Sequence, residues 1–280
     1  MTPEDRDRLD REYNARASVP SFETEYARYV AASVEAVSRL ERVADLVYDT
    51  ASGQTLDLYP AGPSSPLFLW IHGGYWRALS KDDNAFPALG LVPNGVSVAV
   101  MNYALAPAAD LDEIVRQTRT ALAWLQAEAG RYGFEGRRIH VGGSSAGGHL
   151  GGMLLASGWQ NAFGVLEDAV ASGLLLSGLM DLEPLIHTHI NAWMRLDPEA
   201  ARRNSPLHVI PGRSRAQLLA SVGGLESDAF KDQTERYLRA WTGAGHVGQR
   251  IAMPGYNHFD IALSLREPDG TLARAVAALC

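Results

Sequence analysis

One short stretch constrains this chain more than any other. Residues 138–150 read RIHVGGSSAGGHL. Ile139 and Val141 open it as an apolar strand, Gly142 and Gly143 mark a sharp turn, and small residues lead into an apolar run at 150–156 that reads as a helix. Strand, tight turn and helix form the setting in which G-x-S-x-G has mechanical meaning, and here the pattern is Gly143-Ser144-Ser145-Ala146-Gly147. A serine at such a bend is held in a strained conformation that lifts its hydroxyl above the sheet, so its flanking positions must be small. Gly147, Gly148, Gly151 and Gly152 then share one helix face. Each costs the helix roughly 1 kcal/mol relative to alanine. Close packing of that face on the sheet would offset the cost. The plainer alternative is a flexible glycine-rich loop.

The rest of the chain supplies a sheet for the bend to sit on. Residues 46–48 and 55–59 are short strands joined through Ser52-Gly53. The continuous apolar run at 66–71 suits a strand buried on both faces, and it ends in His72-Gly73-Gly74-Tyr75-Trp76. Residues 96–101 form another buried strand. Leu111, Ile114, Val115, Ala121, Leu122 and Leu125 recur at helical spacing within 110–130. Further strands are expected at 172–176, 218–222 and 249–253, and further helices at 227–242 and 271–279. Strands alternating with helices predict an α/β fold: a mostly parallel central sheet with helices on both faces, one domain over 1–280.

Two segments stand outside the alternation. Residues 182–210 are expected to form a small cap or lid insertion. Residues 1–42 read as a helical N-terminal extension, broken at Pro20 and anchored by Leu9, Tyr13, Phe22, Tyr26, Tyr29 and Val30, packed across the mouth of the sheet. The alternative for that extension is a dimer arm, which keeps a homodimer open as a partner.

Composition closes off other functions. A formal charge of −7 with no Lys/Arg cluster argues against nucleic acid as a partner. No apolar run is long enough to span a bilayer, so no membrane partner is expected. The first ten residues lack a secretory apolar core, and a cytoplasmic location is expected. The single cysteine, Cys280, excludes an intramolecular disulfide and makes a structured thiolate nucleophile improbable. Gly243-x-Gly245-x-x-Gly248 matches a dinucleotide fingerprint in letters but lies between a helix and a strand, the reverse of the required order. His187-x-His189 has no accompanying H-E-x-x-H or carboxylate cluster. No metal and no cofactor are expected.

A serine hydroxyl is a weak nucleophile at neutral pH, so Ser145 needs a base within reach and an acid to orient that base. In parallel sheets of this kind the order along the chain is serine, acid, histidine. His258 follows the last strand and is the expected base; His149 reads as a packed helix residue. For the acid, Glu226 and Asp228 both lie beyond the strand at 218–222. Glu226 is favoured, Asp228 stays as the alternative because Ser227 or Asp228 is a natural helix N-cap, and Asp181 trails both. Negative charge in the tetrahedral intermediate requires N–H donors, which Gly73, Gly74, Tyr75 and Ala146 are placed to supply. Tyr75 and Trp76 are the expected walls of the substrate site.

With these residues in view, the chain resembles the kynurenine formamidases of the α/β-hydrolase superfamily over nearly its whole length. The resemblance is carried by His72-Gly73-Gly74-Tyr75-Trp76, by Gly143-Ser144-Ser145-Ala146-Gly147-Gly148-His149, by Ser177-Gly178 with Asp181-Leu182-Glu183-Pro184-Leu185, by Asn204-Ser205-Pro206 and by Glu12-Tyr13-Asn14-Ala15-Arg16. It implies Ser145 as nucleophile, His258 as base and an acid at the Glu226 position, where the family usually has Asp. Met180 likewise stands where many relatives carry an aromatic residue. The activity implied is hydrolysis of an aryl formamide such as N-formylkynurenine through an acyl-enzyme. The alternatives are a carboxylesterase or other amidase of broad specificity and, from another class, an inactive hydrolase fold that serves as a ligand receptor.

Overall fold

The computed structural model describes residues 2–280, with the side chains of 135–137 outside the description. Residue 1 of the expected extension therefore lies outside the described residues. Eight strands form one sheet: β1 (Val43–Asp49), β2 (Gln54–Tyr59), β3 (Ser65–Ile71), β4 (Ser97–Met101), β5 (Phe134–Ser144), β6 (Val170–Leu176), β7 (Gln217–Ser221) and β8 (Gly248–Arg250). Their spatial order is β1-β2-β4-β3-β5-β6-β7-β8. The β1–β2 and β2–β4 pairs are antiparallel, and every pair from β3–β4 onward is parallel.

Among the described residues ten α-helices connect and flank the strands: α1 (Pro3–Glu12), α2 (Phe22–Arg39), α3 (Pro87–Leu91), α4 (Leu111–Tyr132), α5 (Ala146–Leu155), α6 (Asn191–Met194), α7 (Pro198–Arg203), α8 (Asp228–Gly243), α9 (Asp260–Leu263) and α10 (Thr271–Ala277). The apolar run of β3 shows why both faces must be covered. Leu67, Leu69 and Ile71 point into a core shared with α4, α5 and α8, whereas Phe68 and Trp70 point into one shared with α2, α3, α9 and α10. Each fully buried aliphatic or aromatic side chain there contributes about 1.5–3 kcal/mol.

Local chemistry sets the helix ends. Asp110 caps α4 by accepting from the Glu113 N–H at 2.9 Å, and Gly133 ends it in the left-handed region at φ 76°. Ser227 caps α8 through the Phe230 N–H. The last strand is shorter than its apolar pattern suggested; beyond Arg250 the pairing shrinks to a single Gly223–Met253 bridge. The Gly243 to Gly248 stretch runs from the end of α8 into β8, with Gly245 at φ 86°.

Helix α5 begins directly after Ser145, four residues before its apolar run, so the glycines lie inside it. They are there for contact. A Cβ on Gly147 would sit 1.9 Å from the Ile71 carbonyl oxygen, and one on Gly152 would meet Pro206 at 2.8 Å. The helix thus rests on the backbone of β3 at the point where β3 ends, which fixes where its N-terminus, and Ser145, must be.

The parallel registers align the carboxyl ends of the central strands. Ile71 pairs with Gly143, Ser144 with Leu176, and Leu176 with Ser221. The loops after β3, β5, β6 and β7 therefore emerge side by side, at the edge where sheets of this type place their sites.

Candidate active site

Ser145 sits at φ 57°, ψ −118°, a conformation costly for any residue with a Cβ. It is held there by hydrogen bonds on both sides: its N–H donates to the Leu176 carbonyl at 2.8 Å, and its carbonyl accepts from the His149 N–H at 3.0 Å. Strand on one side and helix on the other leave the side chain to line a cavity of about 770 Å³. His258, Tyr75, Gly73 and Gly74 line the same cavity.

His258 arrives from the loop after β8 and is almost completely buried, packed between the rings of Phe230 at 4.5 Å and Phe259 at 5.4 Å. Its Nδ1 lies 2.6 Å from Glu226 Oε2. The other carboxylate oxygen, Oε1, accepts from the Ser177 hydroxyl at 2.6 Å and the Gly223 N–H at 2.7 Å. With both oxygens engaged the carboxylate has one orientation, and the Nδ1 proton it accepts leaves a lone pair on His258 Nε2.

The other two carboxylates stand elsewhere. Asp228 occupies the first turn of α8 with its side chain 96% exposed, facing Lys231 at 3.7 Å, so it is not the partner of His258. Its place in the helix turns it outward, whereas Glu226 precedes the helix on the inward side of the turn. Asp181 is committed to Arg236 at 2.9 Å.

The turn after β3 is wound unusually. Gly74, Tyr75 and Trp76 have φ of 95°, 50° and 54°, three left-handed residues in succession. The Gly74 carbonyl is held by the Arg77 and Ala78 N–H groups at 3.0 and 3.1 Å, and the His72 and Gly73 carbonyls each face the Tyr103 hydroxyl at 3.0 Å. His72 stacks on Tyr103 and directs Nδ1 to the Gly73 carbonyl at 2.9 Å. The bend brings the Gly73 backbone against Ser145, since a Cβ on Gly73 would lie 3.4 Å from Ser145 Cβ and 2.9 Å from the Ser144 carbonyl.

Trp76 departs from its expected place. It is fully buried, packed edge-on against His149 at 5.0 Å, and does not line the cavity. The left-handed backbone sends successive side chains in unrelated directions, so Tyr75 faces the cavity and Trp76 the core. The aromatic wall is instead completed by Phe22, Phe259 and Trp193. His149 is a core residue: Nε2 donates to the Asn204 carbonyl at 2.6 Å, and burial holds its pKa down at about 4.

The N-terminal segment reaches this site directly. Residues 14–17 and 19–23 line the cavity, and the Tyr75 hydroxyl donates to the Tyr13 carbonyl. The Glu12 carboxylate accepts from the Ala229 N–H at 3.0 Å in the first turn of α8, where the helix dipole favours an anion. Trp193 of α6 donates its indole N–H to the Tyr75 carbonyl at 3.2 Å. Sequence reasoning gave no role to Ser177, Trp193 or Arg77. His189 is tied to Asp10 at 2.8 Å, and no group of potential metal ligands is present among the described residues.

A family model described as BD-FAE matches residues 56–173. Over 237 residues the chain is 30% identical to the kynurenine formamidase of Danio rerio, covering 82% of this chain and 79% of the relative. This chain belongs to the kynurenine formamidase family. The family is one of hydrolases on the α/β-hydrolase fold, and this member shares that sheet and is itself a hydrolase. An ethyl acetate hydrolase of Pseudomonas putida is 28% identical over 85% of this chain and 82% of its own. A solved structure from a Silicibacter species, provisionally described as a thioesterase, superposes with a TM-score of 0.83 at 28% identity, over 95% of this chain and 97% of that one. No helix among the described residues is long and apolar enough to cross a membrane.

Proposed function

We propose that the chain hydrolyses the formyl amide of N-formylkynurenine or a similar aryl formamide, by acyl transfer through Ser145. The observation that carries this reading is the His258–Glu226 contact of 2.6 Å in the cavity that Ser145 also lines, beside the wound turn at Gly73 to Tyr75. The family relationship supplies the substrate class.

In this mechanism Ser145 Oγ attacks the formyl carbon while His258 Nε2 takes its proton. Glu226 stabilises the imidazolium that forms and does not itself accept the proton. The N–H groups of Gly73, Gly74, Tyr75 and Ala146 receive the developing oxyanion. A preorganised donor of this kind is worth about 3 kcal/mol in the transition state. His258 then protonates the departing amine, water attacks the formyl ester on Ser145, and formate leaves. Because the formyl group is so small, recognition rests on the amine half, for which Tyr75, Phe22, Phe259 and Trp193 offer aromatic surface. From the expected cap at 182–210, His189 and Trp193 line this cavity.

The identity to the ethyl acetate hydrolase supports a second reading, a carboxylesterase that uses the same groups. Steady-state turnover of N-formylkynurenine set beside short p-nitrophenyl esters separates the two. Efficient formamide hydrolysis supports the first reading, and ester hydrolysis with no release of formate from the amide overturns it.

A further inference from the structure

The cavity is charged against the sign of the molecule. The chain carries −7 overall, yet the charged side chains around the cavity, histidines aside, are two guanidiniums, Arg16 and Arg77, and one carboxylate, Glu23. His189 is occupied by Asp10. Arg16 lies over the Phe22 ring at 4.2 Å, close enough to Glu23 to add to its field. Its charge is therefore partly matched.

Arg77 is not matched. It closes no ion pair within 4 Å among the described residues, although it stands on the wound turn itself. Its backbone N–H is fixed to the Gly74 carbonyl at 3.0 Å, and its guanidinium lies over the Trp193 ring at 4.6 Å. Trp193 is fixed in turn to the Tyr75 carbonyl. A guanidinium resting on an aromatic face keeps its in-plane N–H donors free, and their fork matches a carboxylate. Since the turn binds the acyl oxygen in the mechanism above, Arg77 borders the space left for the other half of the substrate.

We propose that Arg77 is a carboxylate-binding residue for the amine half of the substrate, so that the site selects formamides whose leaving group carries an anion. The proposal rests on the acyl-transfer reading but needs only that the leaving group occupy the Arg77 side of the cavity.

The test compares matched substrates in the intact protein: formamidobenzoates against neutral formamidoacetophenones, and acetoxybenzoates against acetoxyacetophenones, each with the substituent ortho, meta and para. For the best-placed isomer, kcat/KM should favour the acid by about tenfold or more at low salt, as expected for a charge-assisted hydrogen bond. The preference should shrink as salt is added. The ratio of acid to neutral substrate should fall towards about one in Arg77→Gln and in Arg77→Met, which keeps a stem to pack on Trp193, and should largely survive in Arg77→Lys. No acid preference at any position in the unmodified protein overturns the proposal, as does a preference that either neutral variant leaves unchanged. If only the esters are hydrolysed, the formamidase reading fails alone and the ester series still decides the role of Arg77.

Discussion

The Ser177 hydroxyl donates to Glu226 Oε1 at 2.6 Å, on the far side of the carboxylate from His258. Ser177 is fully buried at the end of β6, in a left-handed conformation at φ 49°, and its N–H is held by the Ser221 carbonyl at 2.8 Å. In the proposed mechanism a residue so fixed is a positioning group, leaving Oε2 of Glu226 for the imidazole.

Removing that hydroxyl leaves the Gly223 N–H as the donor to Oε1. Ser177→Ala should lower kcat by about tenfold with KM little changed, the expected scale for one hydrogen bond to a charged group. Glu226→Gln should lower kcat by about 10³-fold or more, because it removes the charge facing the imidazolium. Asp228→Ala should stay within about twofold, since an exposed charge contributes little. Steady-state kinetics on correctly melting variants check all three, and a large loss in Asp228→Ala with none in Glu226→Gln would reverse the assignment of the acid.

Two glycines in helices should respond oppositely to the same substitution. Gly147→Ala places a methyl 1.9 Å from the Ile71 carbonyl, so α5 must shift, at a cost of about 1–3 kcal/mol or more together with loss of activity. Gly130→Ala, in α4 with open space around the new methyl, should stabilise the protein by about 0.4–1 kcal/mol. Chemical denaturation of the two variants measures both.

Three buried histidines make the fold sensitive to acid. Burial holds His72, His140 and His149 at about 4, below their ordinary value of 6.5. They are neutral in the folded state and would protonate on unfolding at any pH between those values. The unfolded chain therefore binds more protons there, and stability rises with pH. The contribution is complete above about pH 6.5, because the unfolded histidines are then neutral as well. It is lost as pH falls towards about 4. Each pH unit is worth at most about 1.4 kcal/mol per histidine, so the melting temperature should drop steeply between neutral pH and about pH 5. A flat melting profile over that interval would contradict the buried neutral state.

What could be read in the sequence follows from how local each cause is. The bend at Ser145, the amphipathic helix within 110–130 and the two-faced burial of β3 are each written within a few neighbouring residues, so pattern alone locates them. Glu226 and His258 were reachable because strand order restricts where their loops can emerge. Trp76 turns away from the cavity that Tyr75 lines because three consecutive left-handed residues break the correspondence between adjacency in sequence and adjacency in space, and nothing in the letters reports φ. Trp193 and Arg77 meet across a long separation through a short helix without strong periodicity, so their pairing depends on tertiary packing alone. Ser177-Gly178 stood at a strand end where a buried hydroxyl requires a partner, a signal that pointed to its place but not to Glu226.

The direct test of the acyl-transfer reading is which serine reacts. Treated with a fluorophosphonate and mapped by mass spectrometry, the protein should carry one adduct on Ser145, absent in Ser145→Ala at an unchanged melting temperature and strongly slowed in His258→Ala. Label on the adjacent Ser144 instead, or full turnover retained by Ser145→Ala, would contradict it.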